Sequence, residues 1–281
     1  LFPTPLVSSA WLADHLGEPG LIVVDASWYL PAMHRDPRAE YLAGHIPGAV
    51  FWDIDALSEQ ATSLPHMLPD PATLARQIGD LGISNPDRVV VYDGSGVNLS
   101  APRVWWTLRV AGHDAVAVLD GGLGKWRAEG RPLESGEARP KPQRFAIRWR
   151  ANLVRSMQDL RSALGRPDFL LVDARSAGRF AGTEPEPRPG IRGGHVPGAQ
   201  SLPYQQLVRS DGTMLSPPEL AARFTAAGID PSRPAVTMCG SGVTACALAL
   251  GLYQLGQTGA AVYDGSWTEW GAPEGPPVDR G

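Results

Sequence analysis

Cysteine is scarce in this chain, with 2 among 281 residues. Two cannot build a disulfide framework, and without a C-x-x-C pair they do not suggest zinc. The 6 histidines are scattered and show no H-E-x-x-H spacing. No metal and no other cofactor is therefore expected. Nowhere do 18 apolar residues run together, and the first residues lack the pattern of a secretory signal, so no membrane partner is expected. Lysine and arginine number 25 against 29 acidic residues, a net charge of −4 with the signs mixed. That leaves no electrostatic footprint for nucleic acid.

What the chain does hold is enough apolar content, 43%, for two cores. Its length favours two domains of about 140 residues each. The halves repeat one another. Leu21–Ser27 (LIVVDAS) matches Leu170–Ser176 (LLVDARS). Gly44–Ala49 (GHIPGA) matches Gly194–Ala199 (GHVPGA). Val89–Val97 (VVVYDGSGV) matches Ala235–Val243 (AVTMCGSGV), and Val118–Trp126 (VLDGGLGKW) matches Val262–Trp270 (VYDGSWTEW). Four blocks in one order signal a duplication. In the first copy, apolar strands are expected at 21–25, 49–51, 88–92 and 115–119. Helices are expected at 8–16, 71–81, 100–111 and 122–129. Asp70-Pro71 and Ser216-Pro217 read as capped helix starts. Alternating strands and helices predict an α/β fold, two tandem domains, each a mostly parallel sheet with helices on both faces. The Pro-containing, basic stretch 139–152 reads as a linker, and 271–281 as a loose tail.

The second copy carries the chemistry. Ala235–Met238 suits a buried strand, Cys239–Thr244 a loop with Gly240 and Gly242, and the Ala/Leu-rich run from Ala245 a buried helix. A cysteine is thus set where a strand ends and a helix begins. Free N–H groups and the helix dipole favour an anion there, and such surroundings generally bring cysteine pKa values to between about 3.5 and 7.5. A thiolate or a persulfide is such an anion. Cys246, one turn into the helix, reads as structural. The first copy has Asp93 in place of Cys239, followed by the same Gly-Ser-Gly-Val. A carboxylate cannot carry sulfur, so one active site is expected. His45 and His195 fill the same slot in both copies, which favours a role in turns. His66 has no counterpart in the second copy, and it follows Asp53-Ile54-Asp55.

These residues carry a resemblance. C-G-S-G-V-T-A at 239–245 is similar to the active-site loop of the 3-mercaptopyruvate sulfurtransferases, in the rhodanese superfamily. D-A-S-W-Y-L-P at 25–31, G-H-I-P-G-A at 44–49, G-T-E-P-E-P-R at 182–188 and Y-D-G-S-W-T-E-W at 263–270 fit the same family. The resemblance implies a rhodanese-like inactive domain over 1–138, a linker over 139–152 and a rhodanese-like catalytic domain over 153–281. It implies attack by Cys239 on the sulfur of 3-mercaptopyruvate, release of pyruvate, and a persulfide that passes sulfur to a thiol such as thioredoxin or to cyanide. Ser241, His66 and Asp55 match the family's serine–histidine–aspartate relay. Arg179 and Arg188 match its substrate-binding arginines, and the backbone of Gly240, Gly242, Val243 and Thr244 would hold the anion. A guanidinium fork suits a substrate with one carboxylate. The free thiol required favours a reducing compartment, the cytoplasm.

Three rivals stand beside this reading. A phosphatase of related fold needs Cys-x5-Arg, but the sixth residue after Cys239 is Ala245. A thiosulfate sulfurtransferase usually has basic residues after the cysteine, where this chain has Gly240-Ser241. A sulfur carrier without catalysis would be a decayed scaffold, which is what the Asp93 copy, not the Cys239 copy, looks like.

Overall fold

The computed structural model describes residues 2–165 and 168–281. The chain forms two compact units. Unit 1 comprises Leu1–Gln60, Leu68–Arg150 and Val208–Met214; unit 2 comprises Ala61–Met67, Ala151–Leu207 and Leu215–Gly281. Each unit thus takes in a short loop from the other half of the sequence.

In unit 1 the elements are β1 (Leu6–Val7), α1 (Ser9–His15), β2 (Leu21–Asp25), α2 (Pro37–Ala43), β3 (Val50–Phe51), α3 (Pro71–Asp80), β4 (Arg88–Tyr92), α4 (Ala101–Val110), β5 (Val116–Leu119) and α5 (Gly122–Ala128). In unit 2 they are β6 (Val154–Arg155), α6 (Met157–Ala163), β7 (Leu170–Asp173), α7 (Ala177–Ala181), β8 (Gln200–Ser201), α8 (Pro217–Ala226), β9 (Ala235–Met238), α9 (Ala245–Gln254), β10 (Ala261–Tyr263) and α10 (Ser266–Trp270). The sheets run β1-β5-β4-β2-β3 and β6-β10-β9-β7-β8, parallel at every pairing. Element for element, the second sheet repeats the first, as the duplicated sequence requires.

The central strands β4 and β9 are buried almost end to end, without alternation. Such strands need cover on both faces, which the helices give. Both capped starts are present. Asp70 accepts from the N–H groups of Ala72 and Thr73, and Ser216 forms a capping box with Glu219. The expected elements differ from the observed ones by a residue or so at their ends. The two-residue strands β1 and β6 are too short to leave a pattern in sequence. So is α7, a single turn capped by Ser176 and ended by Gly182 at φ 75°.

Two stretches expected to be loose are held. The segment 139–150 is a strap on unit 1, not a free linker. Gln143 N donates to Gly79 O at 2.8 Å, and Arg148 N and Arg150 N donate to Ala111 O and Val110 O, each at 2.8 Å. Asn85 pairs with both backbone groups of Ala146, and Phe145 is buried. The break between units falls at Arg150–Ala151. Prolines hid this, because they mark extended chain whether or not that chain docks. The tail is held as well. His195 and Asp279 exchange backbone hydrogen bonds at 2.9 Å, and Trp270 Nε1 donates to Pro277 O. His45 pairs in the same way with Glu134. The two histidines stack on Tyr41 and Phe180, so both serve the framework.

The strap needs Gly79, since a Cβ there would run into the Gln143 carbonyl oxygen. Gly79→Ala is expected to cost about 1–3 kcal/mol and to open 139–150 to protease. Urea unfolding and limited proteolysis test this; an unchanged midpoint with an uncut strap would contradict the packing described.

Candidate active site

Cys239 follows β9 and precedes α9, at the carboxyl end of a central strand, where open α/β sheets place their ligands. The start of α10 fixes its loop. Cys239 N donates to Ser266 Oγ at 3.2 Å, and Ser266 Oγ donates to Tyr263 O at 2.8 Å. Trp267 N donates to Cys239 O and Thr268 N to Gly240 O, both at 2.9 Å. The Thr268 hydroxyl adds a second bond to Gly240 O at 2.7 Å. Ser266 has φ 50°, an uncommon conformation for a side-chain-bearing residue that these bonds sustain. With the carbonyls of residues 239 and 240 engaged, the amides remain. Among the described residues no acceptor meets the N–H groups of Ser241, Val243, Thr244 or Ala245.

Unit 1 shows what this loop accepts. The Asp93 carboxylate takes Ser95 N at 2.8 Å and the Ser95 hydroxyl at 2.5 Å on one oxygen. It takes Ser100 N at 3.0 Å and Ala101 N at 2.8 Å on the other. Ser95 corresponds to Ser241, and Ala101 opens α4 as Ala245 opens α9. Unit 1 thus carries its own anion in the cradle, whereas unit 2 puts a sulfur there and leaves the amides unmet.

His66 enters unit 2 on the segment Ala61–Met67. Its Nδ1 lies 2.8 Å from Ser241 Oγ, and both residues are buried. His66 has φ 61°, a strained position that fits a functional side chain. Asp55 lies in unit 1, where its carboxylate accepts from Trp28 Nε1 at 3.1 and 3.2 Å. Cys246 is fully buried and its Sγ donates to Gly242 O at 3.3 Å, the back-bond of a structural residue.

Arg179 lies against the loop: a Cβ at Gly240 would sit 2.9 Å from its Nη2. The fork expected to grip substrate is already engaged. Arg179 Nη2 donates to Glu186 Oε2 at 2.5 Å, and Nε at 3.2 Å. Glu186 Oε1 accepts from Arg175 Nη1 at 2.7 Å. Arg175 in turn doubly engages Asp173, donates to Gly194 O at 2.8 Å and lies 4.3 Å over the Trp267 ring. Burial works against its charge, but Asp173 and then Glu186 outweigh it and raise its pKa above the ordinary arginine value. Arg188 is half-buried on the loop after α7. Glu186, Arg175 and Ser266 did not emerge as site residues from sequence. The signal for Arg175 lay in the repeat itself, because the matching residue of the first copy is Ser27.

The rhodanese-like domain pattern matches residues 8–129 and 156–273. The chain is 45% identical to human 3-mercaptopyruvate sulfurtransferase over 94% of its own length and 91% of that protein's. It is 44% identical to bovine thiosulfate sulfurtransferase at the same coverage. Its fold is similar to that of SseA, a 3-mercaptopyruvate sulfotransferase from Escherichia coli (TM-score 0.86, 38% identity, 94% of this chain and 99% of that one). It is also similar to the Tum1 protein of Saccharomyces cerevisiae (TM-score 0.89, 32% identity, 100% of both chains).

The anion cradle in unit 1 is testable by itself. Asp93→Asn keeps the shape and removes the charge. It is expected to lower stability by about 1.5–3 kcal/mol. A chemical-denaturation midpoint equal to wild type would show that the amides do not favour an anion.

Proposed function

The chain belongs to the rhodanese family, and from that premise we propose that it is a 3-mercaptopyruvate sulfurtransferase with Cys239 as nucleophile. The Cys239 thiolate attacks the substrate sulfur. An S–S bond forms, the carbon–sulfur bond breaks, and its electron pair leaves on the pyruvate enolate. The enolate takes a proton, for which the Ser241 hydroxyl, hydrogen-bonded to His66, is the donor at hand. The persulfide left on Cys239 is an anion beside the amides of Ser241, Val243, Thr244 and Ala245, much as the Asp93 carboxylate is held by the amides of Ser95, Ser100 and Ala101 in unit 1. Attack by a thiolate or cyanide on the outer sulfur restores the Cys239 thiolate. Thioredoxin is the protein thiol we propose for this step, and a reducing compartment such as the cytoplasm suits it. Asp55 enters the relay as the residue that would orient His66, and Arg179 and Arg188 bind the substrate carboxylate.

The observation that carries the choice of substrate is at Gly240. The loop from Cys239 to Ala245 has no basic residue, and the space over Gly240 is taken by the Arg179 guanidinium. With no basic residue of its own, the loop offers a sulfur dianion little added charge, which suits a monocarboxylate better. The likeness to thiosulfate sulfurtransferases favours thiosulfate as a slower second donor.

Cys239→Ser is expected to abolish pyruvate release and the one-sulfur mass gain on incubation with 3-mercaptopyruvate, while Cys246→Ser keeps both. The opposite pattern would end the assignment. His66→Gln is expected to slow pyruvate release about 10²-fold or more, yet to leave thiocyanate formation from a chemically preloaded persulfide near wild type. That second step protonates no enolate. Equal loss in both steps would remove His66 from proton transfer.

A further inference from the structure

Arg179 has a counterpart in unit 1, and the difference between them is informative. Arg35 sets its Nε and Nη2 on Glu40 at 2.8 and 2.5 Å, as Arg179 does on Glu186. Its remaining nitrogen, Nη1, is spent on the Gly94 carbonyl at 3.1 Å, and its guanidinium lies 3.7 Å from the centre of the Tyr29 ring. In unit 2 the same fork is occupied, but among the described residues no acceptor meets Arg179 Nη1. One donor edge is left over, beside Gly240 and the nucleophile loop.

The charges around it cancel. Asp173, Arg175, Glu186 and Arg179 form one connected chain of ion pairs. Two carboxylates face two guanidiniums, so the cluster carries no net charge. Glu186 is the member that decides this. Its side chain is 4% exposed, against 17% for Arg179, so little solvent screens the pair. Its position is set from behind by Arg175, which rests on the same Trp267 whose backbone N–H holds the Cys239 carbonyl.

We infer that Glu186 is a positioning and specificity residue: by occupying the Arg179 fork it leaves only Nη1 to the ligand and cancels the arginine's charge, so that the site takes a monocarboxylate in preference to a sulfur dianion. This rests on the sulfurtransferase reading above. It explains how an arginine can face the substrate without favouring thiosulfate. Were the guanidinium uncompensated, its added unit of positive charge would act on a dianion twice as strongly as on a monoanion.

The test compares wild type, Glu186→Gln and Glu186→Asp, with folding checked by thermal melts. Two quantities are read: kcat/KM for 3-mercaptopyruvate, followed by pyruvate release, and the apparent inhibition constant of thiosulfate against that release. The second reads dianion occupancy whether or not thiosulfate also donates sulfur. Glu186→Gln is expected to lower the thiosulfate inhibition constant about tenfold while kcat/KM for 3-mercaptopyruvate stays level or falls. Glu186→Asp retains the charge and is expected to keep the wild-type inhibition constant even where it lowers turnover. A purely structural role would weaken both ligands together. That outcome, no change in either quantity, or a shift in Glu186→Asp equal to that in Glu186→Gln, would overturn the inference. Failure of the wild type itself to release pyruvate would instead sink the sulfurtransferase reading.

Discussion

The active loop depends on where its carbonyls go. A strand-to-helix loop has both donors and acceptors to place, and only one kind can face a ligand. Here the first residues of α10 take the carbonyls of Cys239 and Gly240, and the amides of the loop remain. An unmet N–H costs free energy if buried, so this loop is at ease only when an anion completes it. That requirement selects the chemistry: a thiolate before sulfur transfer and a persulfide after it are both anions, and both can occupy the cradle. Burial of Cys239 fits this picture, because dipoles act more strongly where water is excluded.

The duplication supplies an internal control. Both units place the loop at the end of the same strand, with the same Gly-Ser-Gly-Val, under the same kind of Arg–Glu fork. One unit fills the cradle with Asp93 and closes the arginine's last donor on its own backbone. The other holds a sulfur and leaves that donor open. Features common to both, such as His45 and His195 stacked on aromatic rings, belong to the scaffold. Features confined to unit 2 are those to which chemistry must be ascribed.

Much of this was legible in sequence because it was written twice. Repeated blocks gave the domain count and the strand order's symmetry. Cys239 against Asp93 pointed to the candidate site, since a carboxylate and a thiol differ in what they can carry. His66 stood out for the opposite reason, having no matching histidine. What stayed hidden was long-range pairing. The strap 139–150 docks through backbone bonds that any sequence can make, given the space at Gly79. Glu186 sat inside a motif of prolines and charges, where nothing local says that its carboxylate spans two guanidiniums. Ser266 matches Gly122 in the repeat, and both have positive φ, 50° and 55°. Only the glycine announces that in sequence.

The buried ions of unit 2 call for a reason beyond stability. Asp173 and Arg175 have no exposed side-chain surface, and a buried pair is often no better for stability than apolar residues of equal volume. Unit 1 shows the fold without the pair. Ser27 stands where Arg175 would, and Asp25, the counterpart of Asp173, keeps one carboxylate oxygen without a partner. Burial there raises the Asp25 pKa, and no arginine stands beside it to hold its charge. The sheet of unit 1 forms all the same. Arg175 is present where a second carboxylate, Glu186, must be held at a fixed distance from the nucleophile loop. The ion pair is best understood as an anchor: it fixes Glu186, Glu186 fixes Arg179, and Arg179 lies against Gly240, the residue after the cysteine.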